Sequence, residues 1–353
     1  MTQLEIEKNQ EFCGHELVSF FSDEKSGLWG FIAIHNTNLG PATGGTRMFP
    51  YSSEKEALSD VLRLSRAMTY KCALAGLKYG GGKAIIVGNP KLKTKALLEA
   101  YGRKINFFGG MFTTGTDAGI DDTDAQIMGK TSKFILGRPN GVKKESTSDM
   151  AALGVFYGII VVAHRLFGSE SLQGKTIAIQ GLGKLGGELA RLALDAGATV
   201  IGADIDKDVV GRVRKKYPRI RLVNRTDIHK QACDVYAPCA LGGELTPQSI
   251  LEIRAKAIVG GSNNQLSSNE VGNALHQMGI LYAPDYVVNA GGLINIVDEL
   301  ETGGYKRLRV QQHIKNIQST LKTIFDTSKR KNISTHMIAD DMAEQIFNGK
   351  KRS

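Results

Sequence analysis

TIAIQGLGKLGGELARLALDAGATVIGAD, residues 176–204, decides the fold. The apolar run Thr176–Gln180 reads as a buried strand. Gly181, Leu182, Gly183, Lys184, Leu185 and Gly186 follow at once, and the Ala/Leu-rich stretch behind them has helical spacing. A second apolar run then ends in Asp204, 23 residues after Gly181. Strand, glycine turn, helix, strand and acid make one βαβ unit of a parallel sheet, with a pyrophosphate expected at the helix N-terminus. The glycines serve different purposes. Gly181 permits the tight turn, Gly183 lets the backbone approach phosphate, and Gly186 lets the helix pack on the strand. Asp204 would accept hydrogen bonds from both adenosine ribose hydroxyls and repel a 2′-phosphate, so NAD is expected in preference to NADP. Lys207 and Arg212 soften that preference.

Working outward, "CDVYAP" (233–238), "AKAIVG" (255–260) and "GILYAPD" (279–285) read as further strands of the same sheet. Upstream, "ALGVFYGIIVVAHRLF" (152–167) reads as a strongly apolar helix, and "GRPNGVKKESTSD" (137–149) as a polar, turn-rich hinge. A Rossmann dinucleotide-binding domain is therefore expected over 141–329. Residues 1–140, joined by C-terminal helices from about 330 to 353, form an expected N-terminal mixed α/β domain. Within it, "ELVSFF" (16–21) and "LWGFIAI" (28–34) read as a hairpin. "SSEKEALSDVLRLSRAMTYK" (52–71) reads as a helix opened by a Ser53/Glu56 capping box. Its inward stripe Leu58, Val61, Leu62, Ser65 and Met68 continues at Lys71, which must snorkel, pair or line a site. "AIIVG" (84–88) and "MFTT" (111–114) read as strands around the helix "KTKALLEAYGRKINFF" (93–108). Stretches 294–329 and 336–349 read as C-terminal helices.

The chain has 353 residues, enough for about two domains, with a globular composition of 42% apolar and 23% charged residues. Its net charge of +10 is dispersed, clustering only in the tail "GKKRS", and no basic–aromatic motif accompanies it, so no nucleic-acid partner is expected. The four cysteines show no metal-ligand spacing, and no metal is expected. The N-terminus is too polar for a signal peptide. The longest apolar stretch, "GVFYGIIVVA" (154–163), is half of what a bilayer requires, so a cytoplasmic protein without membrane contact is expected.

"GLKYGGGKA" (76–84) sets Lys83 behind three glycines. A P-loop would need glycine at position 77 and a hydroxyl residue at 84, where Leu77 and Ala84 stand. With phosphate excluded, the loop brings a lysine close to something through a backbone free of side chains. A lysine acts as a base at moderate pH only when burial and a neighbouring cation disfavour its charge, and Lys71 is the expected cation.

Together, "GPATGGTRM", "MTYKCALAGLKYGGGKA", "TGTDAGI", "QGLGKLGG", "APCALGG", "GGSNNQL" and "YAPDYVVNAGGLINIVDEL" resemble the Glu/Leu/Phe/Val amino-acid dehydrogenases, in family order from about residue 35 to 302. The likeness is greatest to the leucine and phenylalanine dehydrogenase branch. The resemblance implies two α/β domains with a cleft between them, and NAD-dependent oxidative deamination of an L-amino acid to the 2-oxo acid and ammonia by a homo-oligomer. It implies Lys83 as catalytic base and Asp117 as its proton-transfer partner. Lys71 would hold the substrate carboxylate, Gly44 and Gly45 would lie beside the substrate, and Asn264 would position substrate or nicotinamide. Thr43, Leu293 and Ile296, with Gly115 and Ala118, match the side-chain pocket. Ser148, Cys239, Ala240, Asn263 and Asn289 would join the glycine fingerprint and Asp204 around the cofactor. Two positions depart from the family: Thr116 stands where an acid is usual, and Ala151 replaces a threonine that contacts the nicotinamide amide. A branched-chain substrate is expected first and an aromatic one second. A non-catalytic NAD- or amino-acid-binding protein on the same scaffold is the rival of different class.

Overall fold

The computed structural model describes residues 6–137, 145–240 and 242–349. They fall into two compact units. The first takes the described residues before 144, Glu299–Tyr305 and the chain from Ala343; the second takes those from 145 to Asp298 and Lys306–Met342.

The first unit is built on a five-stranded sheet: β1 (Leu17–Asp23), β2 (Leu28–Asn36), β3 (Ala42–Phe49), β4 (Gly80–Val87) and β5 (Phe112–Thr116), in the order β1-β2-β4-β3-β5. β1 and β2 form the expected hairpin, Leu17 opposite Ile34 and Asp23 opposite Leu28. Between them Asp23 caps a short 3₁₀ turn that Gly27 closes at φ 70°. Helices α1 (Glu54–Leu74) and α2 (Lys95–Asn106) are crossovers, which leaves β3 parallel to both β4 and β5. Leu58, Val61 and Leu62 of α1 pack on Phe31, Ala33 and Ile85, covering one sheet face. The other face buries Ile32, Ile34, Ala84 and Ile86 against Leu98 and Tyr101 of α2 and Met128 of α3 (Asp122–Gly129). The capping box is half formed: Ser53 Oγ accepts the Glu56 N–H at 3.1 Å, but the Glu56 carboxylate turns to Ser52.

Two elements differ from expectation. β3 was hidden by Pro41 and two glycines, residues that weaken a strand signature. β4 starts at Gly80, so the glycine triplet is strand and not loop. Its glycines answer to packing inside the unit. A Cβ on Gly81 would lie 2.1 Å from the Thr69 amide nitrogen of α1, and one on Gly82 would lie 2.7 Å from the Phe112 ring. Access for a ligand is therefore not what these glycines provide.

The second unit holds a six-stranded, wholly parallel sheet: β6 (Thr176–Gln180), β7 (Thr199–Ala203), β8 (Arg221–Leu222), β9 (Cys233–Pro238), β10 (Ala255–Ile258) and β11 (Leu281–Tyr282). The order β11-β10-β9-β6-β7-β8 is that of a doubly wound dinucleotide fold, with its switch point between β6 and β9. Its helices are α4 (Thr147–Phe167), α5 (Lys184–Asp195), α6 (Lys207–Lys216), α7 (Asn269–Gln277), α8 (Asp285–Val288), α9 (Gly291–Val297), α10 (Arg307–Lys315), α11 (Ile317–Lys331) and α12 (Thr335–Gly349), the last running on into the first unit. α4 is longer than its apolar centre suggested, and over 21 residues it is long and apolar enough to cross a bilayer. It is nevertheless a core helix of this unit: Gly154 and Gly158 admit Val288 so closely that a Cβ would meet its carbonyl oxygen at 2.4 Å and its side chain at 2.8 Å. Most of the expected hinge, 138–144, lies outside the described residues, and the chain is already helical from Thr147, behind its Ser146 cap. The stretch 294–329 is not continuous helix, because Gly303 and Gly304 at φ 83° and 67° separate α9 from α10.

Candidate active site

Alternation along β4 puts Gly81, Lys83 and Ile85 on the face that α1 covers. Pairing of Thr43 with Gly81 and of Thr46 with Ala84 then sets Gly45 beside Lys83. Asp117, one residue past β5, completes the cluster: its Oδ1 lies 3.1 Å from Lys83 Nζ. Its other oxygen, Oδ2, accepts a hydrogen bond from Arg47 Nε at 2.9 Å. The Lys83 side chain is only 6% exposed and that of Asp117 22%. Gly45 makes this possible, since a Cβ there would lie 2.7 Å from the Thr116 carbonyl oxygen, 2.9 Å from Asp117 Cβ and 3.3 Å from Lys83 Nζ.

Burial pushes the Lys83 ammonium down from its ordinary range; Asp117 opposes this, and Arg47 adds to it. Arg47, which the sequence did not single out, is thus a cation acting on Lys83. Burial alone would raise Asp117, but Lys83 and Arg47 together hold its carboxyl at about 2. Asp117 is accordingly a carboxylate throughout the working range, while Lys83 is primed to lose its proton. Arg47 escaped the sequence reading, although "GGTRM" carries the signal: in a strand it falls on the same face as Gly45, two residues on.

Lys71 sits half-buried in the last turn of α1, three residues past Met68. Met68 Cγ would lie 3.4 Å from a Cβ on Gly44, while the Gly82 carbonyl oxygen would lie at 1.8 Å, so Gly44 is required by strand packing. Thr43 is 1% exposed and central in the sheet. Gly115 has room, its nearest neighbour being the Leu136 oxygen at 3.5 Å from an added Cβ, and Ala118 is exposed.

In the second unit the fingerprint lies at the switch point. Gly181 has φ 85°, and a Cβ on it would meet Ala240 Cβ at 2.9 Å and the Cys239 carbonyl carbon at 3.0 Å. Cys239 is held there by donating its N–H to the Gln180 carbonyl at 2.7 Å. A Cβ on Gly186 would lie 1.8 Å from the Gly181 oxygen, whereas one on Gly183 would meet nothing within 4 Å. Gly183 is also the N-cap of α5 and supplies no side-chain acceptor to the first-turn N–H groups of Lys184 and Leu185. An open space in front of unengaged helix N–H groups fits a pyrophosphate. Asp204 accepts the Leu182 N–H at 2.6 Å and the Asp206 N–H at 2.9 Å, which fixes its carboxylate beside the glycine turn.

Asn263, Asn264 and Asn289 come together. Asn289 Nδ2 donates to Asn263 Oδ1 at 2.8 Å and to the Gly261 carbonyl at 3.2 Å, while its buried Oδ1 has no hydrogen-bond partner. An orphaned buried acceptor is costly, and a carboxamide N–H of a nicotinamide would satisfy it. Asn264 adopts φ 53°, held by its N–H donating to Asp285 Oδ2 at 2.8 Å; the Tyr282 hydroxyl donates to Oδ1 at 2.9 Å. Ser148 lies in the first turn of α4, its N–H donated to Ser146 Oγ at 3.2 Å. Leu293 and Ile296 are one turn apart on α9 and half-buried. Among the described residues no group of His, Cys, Asp and Glu could hold a metal ion.

Residues 15–134 match the family model of the Glu/Leu/Phe/Val dehydrogenase dimerisation domain, and 203–345 match that of glutamate/leucine/phenylalanine/valine dehydrogenase. The chain is 44% identical to a leucine dehydrogenase of Geobacillus stearothermophilus, over 97% of this chain and 93% of that protein. It is also 44% identical to a phenylalanine dehydrogenase of Thermoactinomyces intermedius, over 93% and 90% of the two chains. Among solved structures, the L-tryptophan dehydrogenase from Nostoc punctiforme matches with a TM-score of 0.83 at 38% identity, covering 96% of this chain and 98% of its own.

Proposed function

The chain belongs to the Glu/Leu/Phe/Val dehydrogenase family, and we propose that it oxidatively deaminates a branched-chain L-amino acid with NAD, reversibly giving the 2-oxo acid and ammonia. The buried Lys83–Asp117 pair, 3.1 Å apart beside a second cation, carries this reading. A binding protein has no use for a lysine whose proton is loosened by burial. When bound, the dinucleotide supplies the hydride acceptor, held by Gly181–Gly186, Asp204, Cys239, Ala240, Ser148, Asn263 and Asn289. Lys71 holds the substrate α-carboxylate, with Gly44 and Gly45 beside it, and Asn264 has the role of positioning substrate or nicotinamide. Asp117, held as a carboxylate, relays the proton released from the substrate amine without retaining it. Lys83, as the free amine, takes a proton from the water that attacks the iminium carbon, and the resulting carbinolamine expels ammonia. Asp204, fixed beside the glycine turn by the Leu182 N–H, would accept the adenosine ribose hydroxyls and repel a 2′-phosphate, which supports NAD over NADP. Leu293 and Ile296, half-buried one turn apart on α9, support a preference for branched aliphatic side chains. A homo-oligomer in the cytoplasm completes the proposal, supported by the match to a dimerisation domain.

The test is NADH formation with NAD and a panel of L-amino acids at about pH 10, where a lysine base is free. Leucine, isoleucine or valine should react fastest, and Lys83→Ala should lose several orders of magnitude in kcat. Faster turnover of phenylalanine or tryptophan would move the substrate to the aromatic class, toward which the small residues Gly115 and Ala118 point. No turnover with any amino acid would leave a binding protein.

A further inference from the structure

The Lys83–Asp117 pair does not end at Asp117. Arg47 divides its guanidinium between two carboxylates: Nε donates to Asp117 Oδ2 at 2.9 Å and a terminal nitrogen donates to Asp60 Oδ2 at 3.0 Å. Asp60, on α1, is held in turn by the Tyr51 hydroxyl and by Arg63, each at 2.5 Å. Charges therefore alternate along the row Arg63, Asp60, Arg47, Asp117, Lys83. Its inner end is dry at Lys83, and its outer end borders a cavity of about 350 Å³ lined by Tyr51, Arg63 and Glu11 among others.

Resting on the deaminase reading, we propose that Arg47 and Asp60 are positioning residues that set how much of Asp117 is available to Lys83. Arg47 occupies one oxygen of Asp117 and leaves the other for Lys83. Without Arg47, both oxygens are free for Lys83 and hold it as an ammonium ion, which cannot accept a proton. Without the Asp60 charge, Arg47 can turn both donor sets to Asp117 and draw it away from Lys83. The charged groups acting on Lys83 are Asp117 beyond β5, Arg47 on β3 and Asp60 on α1; Lys71 follows on α1, and β2 offers only Ala33 opposite. Arg47 disfavours the Lys83 charge and Asp60 favours it, so removing them moves Lys83 in opposite directions.

The experiment is the pH profile of kcat/KM for the wild type, Arg47→Met, Asp60→Asn and Arg47→Lys with the fastest amino acid, alongside melting temperatures. Lys83 works unprotonated, so the rising limb marks its deprotonation. Arg47→Met should move that limb to higher pH and lower kcat/KM near neutrality by about ten- to hundredfold, the size of one lost charge-assisted bond. Asp60→Asn, nearly isosteric, should move the limb to lower pH. Arg47→Lys should restore its position but not the full rate, since a point charge cannot bridge two carboxylates as a fork does. A role in folding alone moves melting and not the limb, and both variants shifting together, or neither shifting, overturns the proposal. If Arg47→Met does not fold, the Asp60→Asn shift still decides. If the wild type turns over no amino acid, the deaminase reading fails by itself. The Lys83 ammonium resonance in ¹⁵N NMR, identified by its loss in Lys83→Ala, then reports the same opposed shifts without catalysis.

Discussion

Gly45→Ala puts one methyl group into the space that lets Lys83 meet Asp117. The added carbon would stand 2.7 Å from the Thr116 carbonyl oxygen and 2.9 Å from Asp117 Cβ. Both approaches fall roughly 0.5–0.7 Å short of ordinary van der Waals contact. Thr116 O is backbone at the end of β5, paired in register with β3, so it cannot swing aside as a side chain would. The chain must part β3 from β5 locally or rotate Asp117 away from Lys83. Overpacking of this kind costs about 1–3 kcal/mol, which lowers the melting temperature by roughly 2–10 °C in a unit of this size. Displacing a catalytic pair by about half an ångström should lower kcat by about ten- to hundredfold. The dinucleotide, bound by the other unit, should keep its KM within about twofold. Initial rates of NADH formation with the best amino acid, beside a thermal melt, measure both. A variant within threefold of wild-type kcat and with an unchanged melt would refute the account of why glycine stands there.

The fingerprint glycines should separate fold from binding. Gly183→Ala meets no protein atom within 4 Å, so its melt should be unchanged while NAD affinity falls at least about tenfold; Gly186→Ala, at 1.8 Å from the Gly181 oxygen, should destabilise the unit outright, both read by calorimetry and cofactor titration. Asp117 contributes stability that is full above the ordinary carboxylate range and is lost as pH falls toward about 2, so Asp117→Asn should show a shallower acid decline in melting temperature than the wild type. Lys83 has its proton loosened in the folded state, so that state gains stability as pH rises toward the ordinary lysine range; Lys83→Met should lack that gain in melts taken across alkaline pH.

The second unit was largely legible in the sequence because its signals are local. Strand, glycine turn, helix and acid follow each other within 29 residues, and the parallel order of the sheet follows from the alternation of elements. The first unit was less so. β3 follows a proline and carries paired glycines, and its strand character arises from neighbours on both sides, β4 and β5. The glycine triplet of β4 looked like a loop for the same reason, since what glycine avoids there are atoms of Thr69 and Phe112, distant in sequence. Lys83 stood out behind its three glycines and took its role, together with Asp117, from the resemblance; Arg47 was missed because its partners, Asp60 and Asp117, are 13 and 70 positions away. The alternation of "GGTRM" gives the face that Arg47 shares with Gly45, but not which distant carboxylates meet it.

The crowding around β4 bears on how such a molecule can diversify. Carbons added at Gly80, Gly81 or Gly82 would collide with Asn36, Thr69 or Phe112, so exchange at those codons abolishes the strand before it can retune chemistry. Gly115 and Ala118 are under no such restraint, with 3.5 Å of clearance at the first and solvent at the second. On the proposed reading, inherited or laboratory variation in substrate range is thereby channelled to positions 115 and 118, while the codons just before Lys83 stay frozen.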